Sequence, residues 1–155
     1  MDERLSAAVH AYVGAINRRD VSALVEVLTE DVVLDAGPQF PASIEGRETV
    51  CRTIESYWRA LPELTVVLRS MFAARDEVVA VVDLVATLGH EPPTAEAAGG
   101  WKAGRRVGWD GAFRFAMNGD DRIRLIRLYW GETATRWFTE IPGQSAGAPL
   151  PPSPR

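Results

Sequence analysis

Residues 11–38, AYVGAINRRDVSALVEVLTEDVVLDAGP, decide the fold that the sequence predicts. Across residues 5–16, apolar side chains recur every three or four positions, which is the spacing of one buried helical face. Asp20 stands where a helix N-cap is expected and precedes a second, shorter helix. The run DVVLDA that follows is rich in β-branched residues and carries an acid, Asp35, close to its end. The stretch therefore predicts two helices followed by a strand that ends on a carboxylate.

The rest of the chain adds one helix and then changes to the pattern of strands. A third helix is expected from near Gly46 to Trp58, and Pro62 should stop it. Four segments rich in β-branched and aromatic residues follow, separated by turn signals, at residues 64–73, 78–88, 105–117 and 122–130. Helices first and strands afterwards predict an α+β domain in which helices cover one face of a curved sheet.

Length and composition predict one soluble domain over residues 1–141. The 155 residues are 46% hydrophobic and 25% charged, which is enough apolar material for one core. The formal charge of -4 gives no basic surface for phosphates, so nucleic acid is not an expected partner. Residues 89–104 are predicted to form a long hairpin loop of the kind that often acts as a lid. Residues 142–155, PGQSAGAPLPPSPR, have little to bury and are expected to be a disordered, proline-rich tail.

The expected compartment is the cytoplasm. Cys51 is the only cysteine, which excludes an intrachain disulfide and a cysteine-based metal cluster. The opening residues, MDERLSAAVH, lack the apolar run of a signal peptide, and no stretch approaches the roughly 18 apolar residues of a membrane span. No phosphate-binding glycine loop, dinucleotide fingerprint or metal-ligand spacing is recognisable, so any chemistry is expected to need no cofactor and no metal.

Three stretches together resemble a known family. Residues 11–38 resemble the opening of ketosteroid isomerases and of SnoaL-like polyketide cyclases, which belong to the nuclear transport factor 2-like superfamily. GRRVGWDGAFRF, residues 104–115, is similar to their fourth long strand, and RLIRLYWGE, residues 124–132, to their last strand. The resemblance implies a cone-shaped α+β barrel, in which N-terminal helices pack on a strongly curved mixed or antiparallel sheet and enclose an apolar pocket.

The resemblance also implies catalytic residues. Tyr12 matches the tyrosine that donates to an oxyanion in the isomerases. The position of their general base falls on Ala36, one residue after Asp35, and that of their protonated aspartate falls on Gly111, one residue after Asp110. A shift of one residue turns a strand side chain to the opposite face, unless a β-bulge restores the register. Both acids are thus candidates whose orientation, inward or outward, the sequence leaves open.

His90 and Glu63 are two further candidates near the pocket mouth. His90 follows the third long strand and, counted in twos, shares a face with Leu84, so it could act as a base or acid; the alternative is a solvated loop histidine. Glu63 could reach the pocket and pair with Asp35, or lie on the surface as a plain polar residue.

The remaining candidates form an apolar substrate-binding surface. Aromatic side chains bury about 150–250 Å² each and suit a large apolar ligand. With Glu63, the candidate substrate-binding residues are Trp58, Leu84, Trp101, Phe113, Ile126, Leu128 and Trp130. On the opposite face of the sheet, Asp83 lies among valines, and family members often dimerise through this face. A homodimer through the outer sheet face is therefore expected.

These features predict a cofactor-independent cyclase or isomerase that acts on an apolar polyketide-type molecule in secondary metabolism, such as antibiotic biosynthesis. The substrate would fold inside an aromatic pocket, with Tyr12 as hydrogen-bond donor and Asp35 or Asp110 as base or acid. Cycloaddition and ring closure by epoxide opening remain open within this prediction. The alternative is a non-catalytic dimeric module that binds a small molecule.

Overall fold

The computed structural model describes residues 2–36, 43–92 and 102–129, together with the backbone of residues 130 and 139–140. Within these residues there are three helices and seven strands. The helices are α1 (Glu3–Arg18), α2 (Val21–Val27) and α3 (Arg47–Ala60). The strands are β1 (Leu28–Asp35), β2 (Ile44–Glu45), β3 (Thr65–Ala74), β4 (Glu77–Thr87), β5 (Arg106–Met117), β6 (Ile123–Trp130) and β7 (Thr139–Glu140).

Local signals in the sequence set the helix ends. The carboxylate of Asp2 accepts from the amide of Arg4 at 3.0 Å, and that of Asp20 accepts from the amide of Ala23 at 3.0 Å, so the cap expected at Asp20 is confirmed. Arg19 ends α1 in the left-handed conformation, with φ of 57°. Gly46 precedes α3 with φ of 88°, a conformation that glycine adopts without strain.

The sheet is mixed, which confirms the predicted α+β class. Its strand order is β2-β1-β6-β5-β4-β3, and β7 pairs with β5 away from this path. The pairing of β1 with β6 is parallel, and the other pairings are antiparallel. The four long strands agree with the sequence prediction to within one residue at each end. The first strand begins at Leu28, three residues earlier than predicted, because α2 already ends at Val27. Neither two-residue strand, β2 or β7, was predicted.

The sheet carries three irregularities in its pairing. The register shifts between Leu28 and Val33 on β1 and between Leu68 and Ser70 on β3. In the pairing of β5 with β6 it shifts between Ala116 and Met117, where Arg124 of β6 is the extra residue. Extra residues of this kind bend a strand and increase its twist. The bending lets one sheet curve around the helices that cover it.

The helices cover one face of the sheet, which we call the inner face. Helix α1 contacts β3 and β4, whereas α3 contacts β1. Side chains alternate along β4, so that Val82, Leu84 and Ala86 are buried on the inner face while Val81 is partly exposed on the opposite, outer face. The core of the protein therefore lies between the inner face and the helices.

Several predicted features lie wholly or partly outside the described residues. The hairpin between β4 and β5 is present at its base, where the amide of Leu88 donates to the carbonyl of Arg105 at 2.9 Å. Residues 93–101 of its expected lid lie outside the described ranges, as does the expected tail, residues 142–155. Among the helices that the structure describes, none is long and apolar enough to span a membrane.

Candidate functional site

The inner face presents an apolar surface built by three neighbouring strands. Leu84 on β4 pairs with Trp109 on β5, and Phe113 on β5 pairs with Leu128 on β6. Leu84, Trp109, Phe113 and Ile126 are buried, and Leu128 packs against the same core. Four of the sequence-predicted binding residues thus come together here: Leu84, Phe113, Ile126 and Leu128. Trp130 pairs with Gly111 through its backbone, whereas its side chain and all of Trp101 lie outside the described part.

Tyr12 lies on the buried side of α1 and faces this surface. Its ring contacts Phe115 edge to face, with 5.3 Å between the ring centroids, and Phe115 contacts Phe113 in the same way at 6.1 Å. Burial raises the pKa of the Tyr12 hydroxyl far above its usual value, and the neighbouring Cys51 adds to the shift. The phenol is therefore neutral and can donate a hydrogen bond.

Helix α3 contributes a second set of buried side chains. Cys51, Ile54 and Trp58 are three and four positions apart, so they share one helical face, and all three are buried. Burial raises the pKa of the Cys51 thiol, and the carboxylate of Glu55 raises it further. A thiol held protonated in this way is a poor nucleophile. This face of α3 therefore contributes apolar surface and one weak hydrogen-bond donor, the Cys51 thiol.

Trp58 carries a buried polar atom that the structure leaves unsatisfied. The residue is 7% exposed, and its indole nitrogen has no hydrogen-bond partner among the described residues. Buried indole N–H groups normally find an acceptor. The sequence placed Trp58 at the site by helical spacing, but it contains no signal for an unpartnered N–H, because partners come from tertiary packing.

Asp35 lies on the outer face of the sheet. It pairs with Arg127 of β6 in the parallel register, and its carboxylate accepts a hydrogen bond from the Arg127 guanidinium at 2.9 Å. The register from Val33 to Asp35 is unbroken. The inward position is taken by Ala36, which is 2% exposed. Of the two orientations that the sequence left open for Asp35, the structure has the outward one.

Asp110 also lies on the outer face. It is exposed and stands opposite Asp83 of β4, and the pairing of β4 with β5 runs without a shift from Glu77 to Thr87. The bulge that would have turned Asp110 inward is absent from this pairing, and Gly111 occupies the inward position. Neither acid reaches the inner face, so the family positions of base and protonated acid are occupied by an alanine and a glycine.

His90 and Glu63 lie near the C-terminal end of α3, where the chain after β4 meets that helix. His90 is exposed and follows the end of β4. The carboxylate of Glu63 accepts from the Thr87 hydroxyl at 2.7 Å and from the Arg106 guanidinium at 3.3 Å. Of the two possibilities that the sequence left open for Glu63, the structure does not have the pairing with Asp35, because the segment that holds Glu63 lies beside β4 at the β3 edge, and β5 and β6 separate β4 from β1.

The outer face carries a patch of exposed apolar side chains. Phe72 is 64% exposed and pairs with Val79, while Tyr129, 48% exposed, pairs with Ala112, which in turn pairs with Val81. We call Phe72, Val79, Val81 and Tyr129 the outer apolar patch. Ion pairs border it, including Arg127 with Asp35. In the described residues there is no group of three or more side chains suited to hold a metal ion.

Comparisons with known proteins identify the family. Residues 9–126 match the model of the SnoaL-like domain, so the chain belongs to the SnoaL-like family, and the resemblance inferred from the sequence is confirmed. Comparison with curated proteins finds no match.

Solved structures share the fold. One is from Jannaschia sp. CCS1, provisionally described as a SnoaL-like polyketide cyclase (TM-score 0.73, 16% identity, 86% of this chain and 90% of that chain covered). Another is SalBIII, an epoxide hydrolase/cyclase-like enzyme of pyran ring formation in the polyether salinomycin (TM-score 0.68, 23% identity, 85% of this chain and 94% of that chain covered). A third is RV0760c from Mycobacterium tuberculosis in complex with estradiol-17beta-hemisuccinate (TM-score 0.65, 19% identity, 83% of this chain and 95% of that chain covered).

Proposed function

We propose that this protein is a cyclase or isomerase that needs no cofactor and acts on an apolar polyketide-type molecule in secondary metabolism. The observation that carries the proposal is the inner face, where aromatic and aliphatic side chains surround two buried donors, Tyr12 and Trp58. The names of the relatives support the substrate class, since they include a polyketide cyclase and an enzyme of polyether ring formation.

The mechanism relies on folding the substrate more than on proton transfer. An apolar enclosure that holds two reacting parts of a chain close together removes much of the entropic barrier to ring closure. Tyr12, neutral because of its burial, donates a hydrogen bond to a carbonyl or enolate oxygen and stabilises charge that develops there. This assigns Tyr12 the role of electrophilic donor.

The outward orientation of the acids decides between the chemical alternatives. Asp35 is engaged by Arg127, and Asp110 is exposed, so neither is placed to abstract a proton from a ligand on the inner face. Cycloaddition and donor-assisted ring closure therefore fit better than epoxide opening by a carboxylate pair. Base or acid catalysis by Asp35, Asp110 or His90 remains a prediction that substitution tests.

The test is turnover of linear polyene, enone and epoxide-bearing polyketide-like compounds, with products detected as isomers of unchanged mass. Tyr12→Phe is expected to lower kcat by about 10²-fold, the usual effect of removing one donor to a developing oxyanion. Asp35→Asn and Asp110→Asn are matched controls that should retain most of the turnover. Loss of turnover in either asparagine variant, with Tyr12→Phe unaffected, would contradict the proposal.

The second candidate function is a non-catalytic module that binds a small apolar molecule. It is favoured by the same outward position of the two acids, which leaves no ionised group on the described inner face. Saturable binding of a compound without any isomeric product, across the whole panel, would support this candidate over the enzyme.

We further propose that the protein forms a homodimer through the outer apolar patch. Exposed apolar patches of this kind mark interaction sites, and a second copy would bury the patch against itself. The bordering ion pairs supply charges of both signs, which suits a surface that must meet its own copy.

A further inference from the structure

The backbone that carries Trp58 is fixed at the end of α3. The carbonyl oxygen of Trp58 accepts from the Arg19 guanidinium at 3.1 Å, and the amide of Leu61 donates to the carbonyl of Tyr57 at 2.7 Å. On the other side, the amide of Gly89 donates to the carbonyl of Ala60 at 2.7 Å. The helix end is thus bonded both to the end of α1 and to the segment after β4.

The contact at Gly89 leaves this helix end little room to move. A Cβ atom at Gly89 would lie 2.8 Å from the carbonyl oxygen of Arg59 and 2.9 Å from that of Ala60, so the two backbones are in close approach. These contacts fix the backbone at the end of α3, and the side chain of Trp58 is itself packed within the buried core, so the indole N–H is enclosed by the protein. Its lack of a partner is a property of the packed protein.

A buried donor without a partner lowers the stability of the ligand-free protein. Phenylalanine would fill much of the same space without this cost, since it has no polar atom to desolvate. An incoming acceptor would remove the cost and gain a hydrogen bond in surroundings where such bonds are strong. Trp58 is therefore suited to recognise an oxygen atom of a bound molecule.

The charged groups near Trp58 indicate which kind of oxygen atom the indole N–H would bind. Two guanidinium groups lie near the end of α3, and both have partners. Arg19 donates to the carbonyl of Trp58 at 3.1 Å, and the buried Arg106 donates to the carboxylate of Glu63 at 3.3 Å. A carboxylate or phosphate buried here would have to take a cation from one of these partners, and burying a charge without its own counter-ion is costly. A neutral acceptor meets no such penalty.

We propose that the indole N–H of Trp58 donates a hydrogen bond to a neutral oxygen of the bound molecule, a ketone, ether or epoxide. This rests on the proposed function, since it assumes that an apolar molecule enters the space between the inner face and the helices. It extends that function by assigning a specificity-determining residue and by excluding substrates whose buried end is an anion.

The experiment uses three compounds of similar size: 1-tetralone, which has a ketone, tetralin, which lacks it, and 1-tetralincarboxylate, which is an anion. The full-length protein is labelled with ¹⁵N, so that its five tryptophans give separate indole N–H resonances, and Trp58→Phe identifies the resonance of Trp58. 1-Tetralone is expected to shift the Trp58 indole proton downfield. Tetralin should bind without that shift, and the carboxylate should bind at least tenfold more weakly than the ketone.

Two variants measure the effect on affinity. Trp58→Phe should weaken binding of 1-tetralone by about 5- to 10-fold, the worth of one hydrogen bond, and leave tetralin unchanged. Trp109→Phe is the matched control: Trp109 also lines the inner face, but its nitrogen is not among the buried atoms without a partner, so both compounds should weaken equally.

The outcomes separate this inference from the function on which it rests. If both neutral compounds bind and the Trp58 resonance does not respond to the ketone, the inference is overturned and the proposed function stands. If Trp58→Phe weakens both compounds equally, Trp58 only packs against ligands, and the inference is again overturned. If neither compound perturbs any indole resonance, the proposed access to the inner face fails, and the inference fails with it.

Discussion

Tyr12 owes its chemical state to burial, because the larger part of the upward shift in its pKa comes from the loss of solvent. A phenol of this kind remains a donor over the whole pH range in which a protein is normally studied. It differs in this respect from a carboxylic acid, whose protonation near neutral pH would depend on a large shift. Relying on Tyr12 instead of an acid therefore makes the donor insensitive to pH.

The shifted pKa values predict how stability depends on pH. The folded state raises the pKa of Tyr12 and also raises that of Tyr57, to about 12, whereas an unfolded tyrosine ionises near 10. Above about pH 10 the unfolded chain therefore binds fewer protons, and the free energy of unfolding should fall by about 1.4 kcal/mol per pH unit for each of the two residues. Urea unfolding between pH 9 and 11.5 measures this slope.

The variants Tyr12→Phe and Tyr57→Phe should each reduce that slope by about one residue's share, roughly 1.4 kcal/mol per pH unit. They are matched, because both remove a single hydroxyl from a helix. A slope that stays at the wild-type value in Tyr12→Phe would show that the hydroxyl titrates equally in the folded and unfolded states.

The sequence predicts some properties of these residues and leaves others open. The match of Tyr12 to a family position could be found by counting, and so could the one-residue displacement of Asp35 and Asp110. The orientation of the two acids depends on β-bulges. The structure has bulges beside Val33 and Ser70 but none at Asp110. Bulges are set by pairing between strands, so a single strand's sequence does not reveal them. The unpartnered indole of Trp58 is likewise a tertiary property.

At the scale of elements, the edge strand β3 depends on one side chain of α1. The amide of Val66 donates to the side-chain oxygen of Asn17 at 2.8 Å, and the side-chain nitrogen of Asn17 donates to the carbonyl of Val66 at 2.9 Å. Edge strands present unpaired backbone groups that favour aggregation. Asn17 thus pairs part of this edge from within the chain and fastens α1 to the sheet.

Replacing Asn17 should therefore destabilise the protein. Asn17→Ala removes both hydrogen bonds and is expected to lower the free energy of unfolding by about 1–3 kcal/mol, since two partly buried backbone groups lose their partner. Asn17→Asp is the matched variant: it keeps the acceptor for the Val66 amide but sets a carboxylate oxygen against the Val66 carbonyl. Its stability should fall too, and fall less when the pH is lowered enough to protonate the carboxylate. Equal stability of wild type and Asn17→Ala in urea would contradict this role.

Element prediction from the sequence succeeded where the signal was local. Helix α1 follows its apolar spacing, and α2 begins after the predicted cap at Asp20. The two-residue strands β2 and β7 escaped prediction, because so short a segment has no period and becomes a strand only through its partners, β1 and β5.

At the scale of the whole molecule, the sheet separates two kinds of chemistry. Its inner face is apolar and faces the helices that carry the donors Tyr12 and Trp58. Its outer face carries ion pairs such as Arg114 with Glu77 and Arg69 with Asp83. The alternation of side chains along each strand produces this separation. A one-residue register difference is thus enough to move both acids from the inner face, where we propose that the substrate binds, to the face that we propose for dimerisation.

The proposed dimer predicts how a charge in the outer apolar patch changes the oligomeric state. Val81→Lys places a charge in the outer apolar patch, where a second copy would have to bury it, so the variant should elute as a folded monomer while the wild type elutes as a dimer. Light scattering during gel filtration measures the mass, and circular dichroism checks the fold. Val25→Lys is the matched control, because Val25 is 39% exposed, close to the 37% of Val81, but lies on α2. A wild-type monomer at micromolar concentration, or loss of the dimer in Val25→Lys and not in Val81→Lys, would exclude the outer apolar patch as the interface.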